Sequence, residues 1–190
     1  MLNSKQITKL FAEYDKLREI KTDNNLNYLV WLILKINKEL WELEDSARMN
    51  NLSLKHVAQA KKAIDRKNQE RNDIIKKIDI KIYRQMKILP LNKKLCYSES
   101  PGMIIDRLTI LHIKLSKIRD LLQLINEKGL KKEYEKKEKI VHNQLNDLYN
   151  FLDLYFMKLD KKRIYFEIQQ PVKIYNDDRI KKYIKIITKS

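Results

Sequence analysis

Residues 26–48, LNYLVWLILKINKELWELEDSAR, contain the strongest apolar run of the chain and predict a long amphipathic helix. Because an α-helix turns by about 100° per residue, Ile33, Leu40 and Glu44 fall within roughly 40° of one another on one face. Asn37 belongs to the same face. Burying an amide or a carboxylate is costly unless the group is paired. The stretch therefore predicts a helix whose core-facing side carries polar groups that need partners elsewhere in the chain.

Two later helices repeat this pattern. In the third predicted helix, Asn68 and Arg71 share a face with isoleucines at positions 64, 75, 78 and 82. The fourth is apolar almost all round in its first turns, which indicates a central position, and it carries Asp106 and Arg107. We expect the polar side chains of these three helices to converge on a shared interior.

The composition favours an all-α fold. Two glycines and three prolines leave little turn chemistry for strands and hairpins. A length of 190 residues with 43% hydrophobic content fits one domain with its own core. We therefore predict a single helical, bundle-like domain over 1–190, with a motif core at about 26–125. Its expected elements are about five long helices (4–20, about 24–49, 53–86, 100–129 and 131–158) and a short C-terminal helix.

Several classes of protein are disfavoured by the sequence. A single cysteine, Cys96, allows neither an intrachain disulfide nor a cysteine-based metal cage. The first residues lack the basic and then apolar pattern of a signal peptide. The apolar run from Leu26 to Ile36 is too short to cross a bilayer. We expect a soluble cytoplasmic protein without membrane insertion.

The net charge of +16 raises the question of nucleic-acid binding. Lysine outnumbers arginine by 32 to 9, and asparagine and isoleucine are abundant while alanine is scarce. This bias is typical of a low-GC genome that spreads lysine over solvated faces. Arginine, which makes the bidentate contacts to bases and phosphates, forms no stripe in the sequence. Weak nucleic-acid binding through lysines is therefore a minor alternative.

The inward-facing polar set has two interpretations. As a lock, its carboxylates neutralise its arginines and the network only fixes helix register, which leaves a structural or interaction protein that recruits a protein partner. As a pocket, the arginines clamp the phosphate or carboxylate of a small molecule, beside a carboxylate that acts as a base or as a metal ligand. The pocket interpretation assigns Arg48, Arg71 and Arg107 to the clamp, Glu44 and Asp106 to orienting or catalytic carboxylates, Asn68 to hydrogen bonding and Glu99 to the mouth. Amides at the helix start after Pro101 are expected to assist.

Patterns for metals and for nucleophilic catalysis are weak. The spacing Glu39-x-x-Glu42 and Glu70-x-x-Asp73 is similar to that of helical nucleotide pyrophosphohydrolases. These acids lie opposite the apolar faces, however, and acidic pairs in a lysine-rich chain are usually solvated. No histidine has a partner at metal-ligand spacing. The sequence identifies no metal, no cofactor and no reaction.

Four motifs of the chain resemble the bacterial family called domain of unknown function 4254. Their order and approximate spacing agree over about Leu40 to Lys114, and the ending Tyr175-Asn176-Asp177 also fits. The motifs are Leu40-Trp41-x-x-Glu44-Asp45-x-x-Arg48, Ile64-Asp65-x-x-Asn68-Gln69-x-Arg71-x-Asp73, Ser98-Glu99-Ser100-Pro101 and Ile105-Asp106-Arg107-Leu108-Thr109-Ile110-Leu111. The resemblance implies an all-helical cytoplasmic domain whose signature residues include the inward-facing set. It brings no established reaction, and it suggests a role near envelope polysaccharide or sugar-nucleotide metabolism.

Overall fold

The computed structural model describes residues 2–17, 25–48, 53–88 and 95–169, and these form an almost entirely helical structure. The elements are α1 (Ser4–Leu17), α2 (Leu26–Ala47), α3 (Leu54–Gln85), β1 (Cys96–Tyr97), α4 (Pro101–Leu124), α5 (Lys128–Asp160) and β2 (Tyr165–Phe166). The predicted all-α class with five long helices is confirmed. The predicted C-terminal helix lies outside the described residues.

Polar side chains at the helix starts explain where three helices begin. Asn25 accepts a hydrogen bond from the backbone N–H of Tyr28 at 2.9 Å and caps α2. Ser53 caps α3 and Ser100 caps α4 in the same way. Pro101 is the first residue of α4, where its fixed φ suits the helix and no N–H is needed.

The connection between α4 and α5 differs from the prediction. The sequence predicts that Gly129 closes the fourth helix in a left-handed conformation. Instead α4 ends at Leu124, Gly129 lies in the first turn of α5, and no described glycine has a positive φ. Ile125 and Glu127 are extended, and this backbone ends α4 without a glycine. The predicted role of Gly129 is therefore wrong.

The packing places α4 at the centre of the described residues. The α2–α3 pair packs against α4, α4 packs against α5, and α1 contacts both α2 and α5. Ile33 of α2, Ile78 of α3 and Ile105 and Leu108 of α4 are fully buried. Polar residues on the α4-facing sides of α2 and α3 therefore lie close to α4. None of the helices in the described ranges is both long and apolar enough to cross a membrane.

A small parallel strand pair fixes the start of α4. Strand β1 pairs with β2, in the register Cys96 with Tyr165 and Tyr97 with Phe166. The phenol of Tyr155 on α5 donates a hydrogen bond to the carbonyl oxygen of Glu99 at 2.9 Å. The segment that leads into α4 is therefore held from both the strand pair and α5.

Candidate functional site

Asp106 is the centre of a buried polar network between α2, α3 and α4. The Nε and an Nη of Arg71 donate to its two oxygens at 2.8 and 2.5 Å. The amide of Asn37 donates to Asp106 Oδ1 at 2.8 Å and to the hydroxyl of Thr109 at 2.6 Å. Thr109 in turn donates to the backbone oxygen of Asp106 at 2.7 Å. Asp106 is only 6% exposed, and both of its carboxylate oxygens accept hydrogen bonds from within the protein.

The network explains how α4 tolerates a carboxylate within its first turns, which are nearly all apolar. An ionised carboxylate in the interior requires a cation and hydrogen-bond donors with good geometry. Arg71 supplies a planar fork from α3, and Asn37 supplies a donor from α2. Hydrogen bonding to Asp106 raises the pKa of Arg71, against a smaller lowering by burial, so this guanidinium stays charged. The arrangement fixes three helices relative to one another.

Two open clefts flank this network, and Arg71 lines both of them. The larger has a volume of about 410 Å³ and the smaller about 240 Å³. The larger is lined by Arg71, Asn72, Ile75, Lys76, Asp79, Ser100, Met103, Asp106, Arg107, Ile110 and Gln169. The smaller is lined by Asn37, Leu40, Trp41, Glu44, Asp45, Arg48, Asn68, Arg71 and Ile110. Because Arg71 is a quarter exposed, its guanidinium meets the buried network on one side and the clefts on the other.

The remaining residues of the predicted set do not join the Asp106 network. Glu44 pairs with Arg48 at 3.4 Å on the rim of the smaller cleft, and both side chains are well exposed. Arg107 lines the larger cleft and pairs with Glu99, again at the surface. The expected single interior cluster is thus corrected to one buried network and two surface ion pairs. Glu44 and Arg48 do not reach the network because of their position along the helix. Glu44 lies in the last turn of α2, and Arg48 is the residue that caps its C-terminus.

Asn68 and Trp41 lie together in the smaller cleft. Both side chains are half-buried, and both line it beside the Glu44–Arg48 pair. The indole provides an apolar wall and the amide provides a donor and an acceptor. This cleft therefore combines a flat apolar surface with a neutral amide and with charged side chains of both signs.

A second buried carboxylate, Asp79, was not among the predicted site residues. It is 3% exposed and borders the larger cleft. Ser100 Oγ donates to it at 2.6 Å, and the backbone N–H of Gly102 donates at 2.7 Å. Burial raises the pKa of Asp79 to about 6, although these two hydrogen bonds act in the opposite direction. Helical periodicity places Asp79 only at the border of the inward face and does not predict its burial. Its two hydrogen bonds come from Ser100 and Gly102, so they depend on the backbone at the start of α4.

Asp79 occupies the helix start that was expected to bind an anionic ligand. The Gly102 N–H is taken by Asp79, and the Met103 N–H is taken by the Ser100 hydroxyl. The expected assistance from these two amides is therefore wrong. A Cβ atom on Gly102 would lie 2.7 Å from both Asp79 Oδ1 and the Ile75 carbonyl oxygen. Only glycine allows α3 and α4 to approach this closely, and this close approach lets Asp79 cap α4.

Two of the four acidic residues with pyrophosphohydrolase-like spacing, Glu39 and Glu70, meet a lysine. Lys67 Nζ lies 2.7 Å from Glu39 of α2 and 2.8 Å from Glu70 of α3. These ion pairs raise the pKa of Lys67, chiefly through the hydrogen bond to Glu39. Within the described ranges no group of three histidine, cysteine or acidic side chains is arranged to hold a metal ion. This face of the α2–α3 pair is thus an interhelical salt-bridge cluster.

The fold and site define a class: an all-helical protein in which a buried arginine–aspartate network is bordered by open clefts. Comparison with protein families gives the particular family. The chain belongs to the family described as "Protein of unknown function (DUF4254)", which matches residues 27–168. That span contains α2 except its first residue, Leu26, the whole of α3 to α5, and every residue of the two clefts except Gln169. No curated protein and no solved structure matches the chain.

Proposed function

We propose that the protein binds a phosphorylated or carboxylated small molecule in the larger cleft, with Arg71 and Arg107 as its anion-binding groups. The observation that carries the proposal is the position of Arg71. Its Nε and one Nη are fixed by Asp106, yet its side chain is still 26% exposed and lines the open cleft. A guanidinium held in one orientation binds an oxyanion with little loss of conformational entropy.

Arg107 contributes the second cation. Its partner Glu99 is at the surface, and exposed ion pairs contribute only about 0–1 kcal/mol. An oxyanion that binds Arg107 in a bidentate manner therefore displaces a weak interaction in favour of a stronger one. Lys76 lines the same cleft and adds positive potential. Glu99 then acts as an exchangeable group at the mouth of the cleft.

Asp106 is proposed as an orienting group and not as a general base. Both of its oxygens accept hydrogen bonds inside the protein, so no lone pair is directed at a substrate without breaking the network. Glu44 stands on the rim of the smaller cleft with Arg48 and Asn68 nearby, where these side chains suit the neutral part of a ligand. A sugar phosphate or sugar nucleotide, which joins a phosphate to a polar ring, is a ligand of this kind, and such a ligand places the protein in sugar-nucleotide or polysaccharide metabolism.

The proposal is tested by a thermal-shift screen with inorganic phosphate, pyrophosphate, sugar phosphates, nucleotides, sugar nucleotides and small carboxylates. A ligand present at 100 times its dissociation constant adds about 2.7 kcal/mol to the free energy of unfolding. We expect Arg107→Gln to weaken binding of the responding ligand at least tenfold in titration calorimetry. We expect this variant to remain folded, because the Arg107 side chain is 53% exposed.

Arg119→Gln is the matched control. Arg119 is 52% exposed and also pairs with a glutamate, Glu138, but it lies outside both clefts. Equal weakening by both variants means that the ligand responds only to overall charge, which contradicts the proposal. If no ligand of the panel stabilises the protein, the buried network serves only to fix helix register, and the interaction-protein alternative is favoured.

A further inference from the structure

One segment of α5 differs in charge from the rest of this basic chain. Residues 140–157 are 18 consecutive positions without lysine or arginine, the longest such run in a sequence with 41 of these residues. The run lies wholly within α5 (Lys128–Asp160). The first cation after it, Lys158, donates to the hydroxyl of Tyr97 at 3.0 Å and so is held against β1.

The outward side of this segment exposes apolar side chains. Its inward side chains, including Leu145, Leu152 and Phe156, are buried in the core. Four large apolar residues on the other side remain 40–55% exposed. These are Ile140, Phe151, Leu154 and Met157, and we refer to them as the cation-free strip.

The polar residues beside the strip are mostly amides. Asn143, Gln144 and Asn150 are exposed on α5, together with the carboxylate of Asp147. The other carboxylate of the segment, Asp153, accepts hydrogen bonds from the backbone N–H and the hydroxyl of Ser4, at 2.8 and 2.5 Å. An amide carries both donors and an acceptor, so it can pair with an identical group.

We propose that the cation-free strip is the surface through which two copies of the chain pair, helix α5 against helix α5. A two-fold interface brings the same patch together from both subunits, so the patch has to be complementary to itself. Apolar side chains and amides meet this requirement, whereas a lysine-covered face repels its own copy. With a net charge of +16, two copies repel each other over most of their surface, and this strip is where close approach is least opposed. Exposed apolar anchors beside polar groups are also the usual composition of an interface.

The test is the molar mass of the full chain in solution, measured by sedimentation equilibrium over a range of concentrations. We expect wild type to approach twice the 23.0 kDa chain mass. Leu154→Lys places a cation opposite its copy in the strip and is expected to raise the dimer dissociation constant at least tenfold. Added salt screens repulsion between the basic copies and is expected to strengthen wild-type association.

Leu124→Lys is the control variant, because Leu124 is 74% exposed at the end of α4 and lies outside the strip. It is expected to leave the dimer intact. Circular dichroism establishes that each variant is folded, and Ile140→Lys replaces Leu154→Lys if the latter is not. A wild-type mass of one chain at every concentration overturns the proposal. So does a dimer that Leu124→Lys dissociates and the strip variants do not.

Discussion

Two buried carboxylates, Asp106 and Asp79, face the same larger cleft but are stabilised in different ways. Asp106 has a full positive charge beside it, because Arg71 holds both of its oxygens. Asp79 has only dipoles, the Ser100 hydroxyl and the Gly102 N–H, and its pKa rises to about 6. Hydrogen bonds from neutral groups thus give the oxygens of a buried carboxylate their partners, but they offset only part of the free-energy cost of removing its charge from water.

The largest expected effect comes from removing the carboxylate that balances Arg71. Asp106→Ala leaves the guanidinium partly buried without its partner, and we expect the free energy of unfolding to fall by about 3–5 kcal/mol in urea denaturation. The control is Glu44→Ala, which breaks an exposed pair and is expected to change stability by less than about 0.5 kcal/mol.

A double variant sharpens this result. Arg71→Met with Asp106→Leu removes both charges and fills their space with apolar atoms, so most of the lost stability is expected to return. A double variant as unstable as Asp106→Ala means that the network stabilises the fold by more than charge compensation.

The next effect is the pH dependence that Asp79 contributes to stability. Its pKa is about 6 in the folded protein against an ordinary value of 3.8, so between these values the folded state binds more protons than the unfolded state. The free energy of unfolding therefore falls as pH rises through this window, on the order of 3 kcal/mol in total. Below the window both states are protonated and the penalty is absent.

Asp79→Asn removes this titration. We expect the stability of wild type, measured relative to Asp79→Asn by urea denaturation, to decrease from pH 4 to pH 7. Parallel curves for the two proteins across that range contradict the raised pKa of Asp79.

The smallest effect concerns the approach of α3 to α4 that lets Asp79 cap the helix. Gly102→Ala forces a Cβ atom against the Ile75 carbonyl and Asp79, and we expect a loss of about 2 kcal/mol in thermal or urea denaturation. Gly129→Ala is a matched control in the same kind of position, the first turn of a helix. Nothing lies within 4 Å of its added Cβ, so alanine there is expected to be neutral or to stabilise by up to about 1 kcal/mol. Equal effects at the two glycines exclude a tight contact at Gly102.

The sequence predicts the helices well because capping residues and apolar periodicity act within a few positions of each other along the chain. Ser53 and Ser100 act as caps as their positions indicate, and the helical period places Asn37 and Arg71 on the faces that meet α4. Periodicity indicates which face of a helix a residue occupies, but not whether that point along the helix is packed against a neighbouring helix. It therefore cannot separate Arg71, which reaches Asp106, from Arg48, which stands on the rim at the end of α2.

Asp79 shows the other limit of the sequence. Its burial follows from the missing side chain of Gly102, 23 positions away, which allows two backbones to come together. A clue is present in Ser100-Pro101-Gly102, because a small residue directly after the proline removes the bulk from one side of the helix start. Which residue of α3 lies against Gly102 depends on tertiary packing, so the sequence does not identify Asp79 as that residue.

The pairing of β1 with β2 has a consequence for the order in which the molecule assembles. It joins Cys96 to Tyr165, positions 69 residues apart, and closing such a loop costs roughly 4 kcal/mol of chain entropy. Two paired residues on each strand are too few to drive that closure, so the docking of α4 on α5 has to precede it. The segment after β2 brings Gln169 to the larger cleft, where it donates to the Ser98 carbonyl. We therefore expect this wall of the cleft to be completed among the last steps of folding, so the cleft is unfinished in a nascent chain that has not yet formed the strand pair.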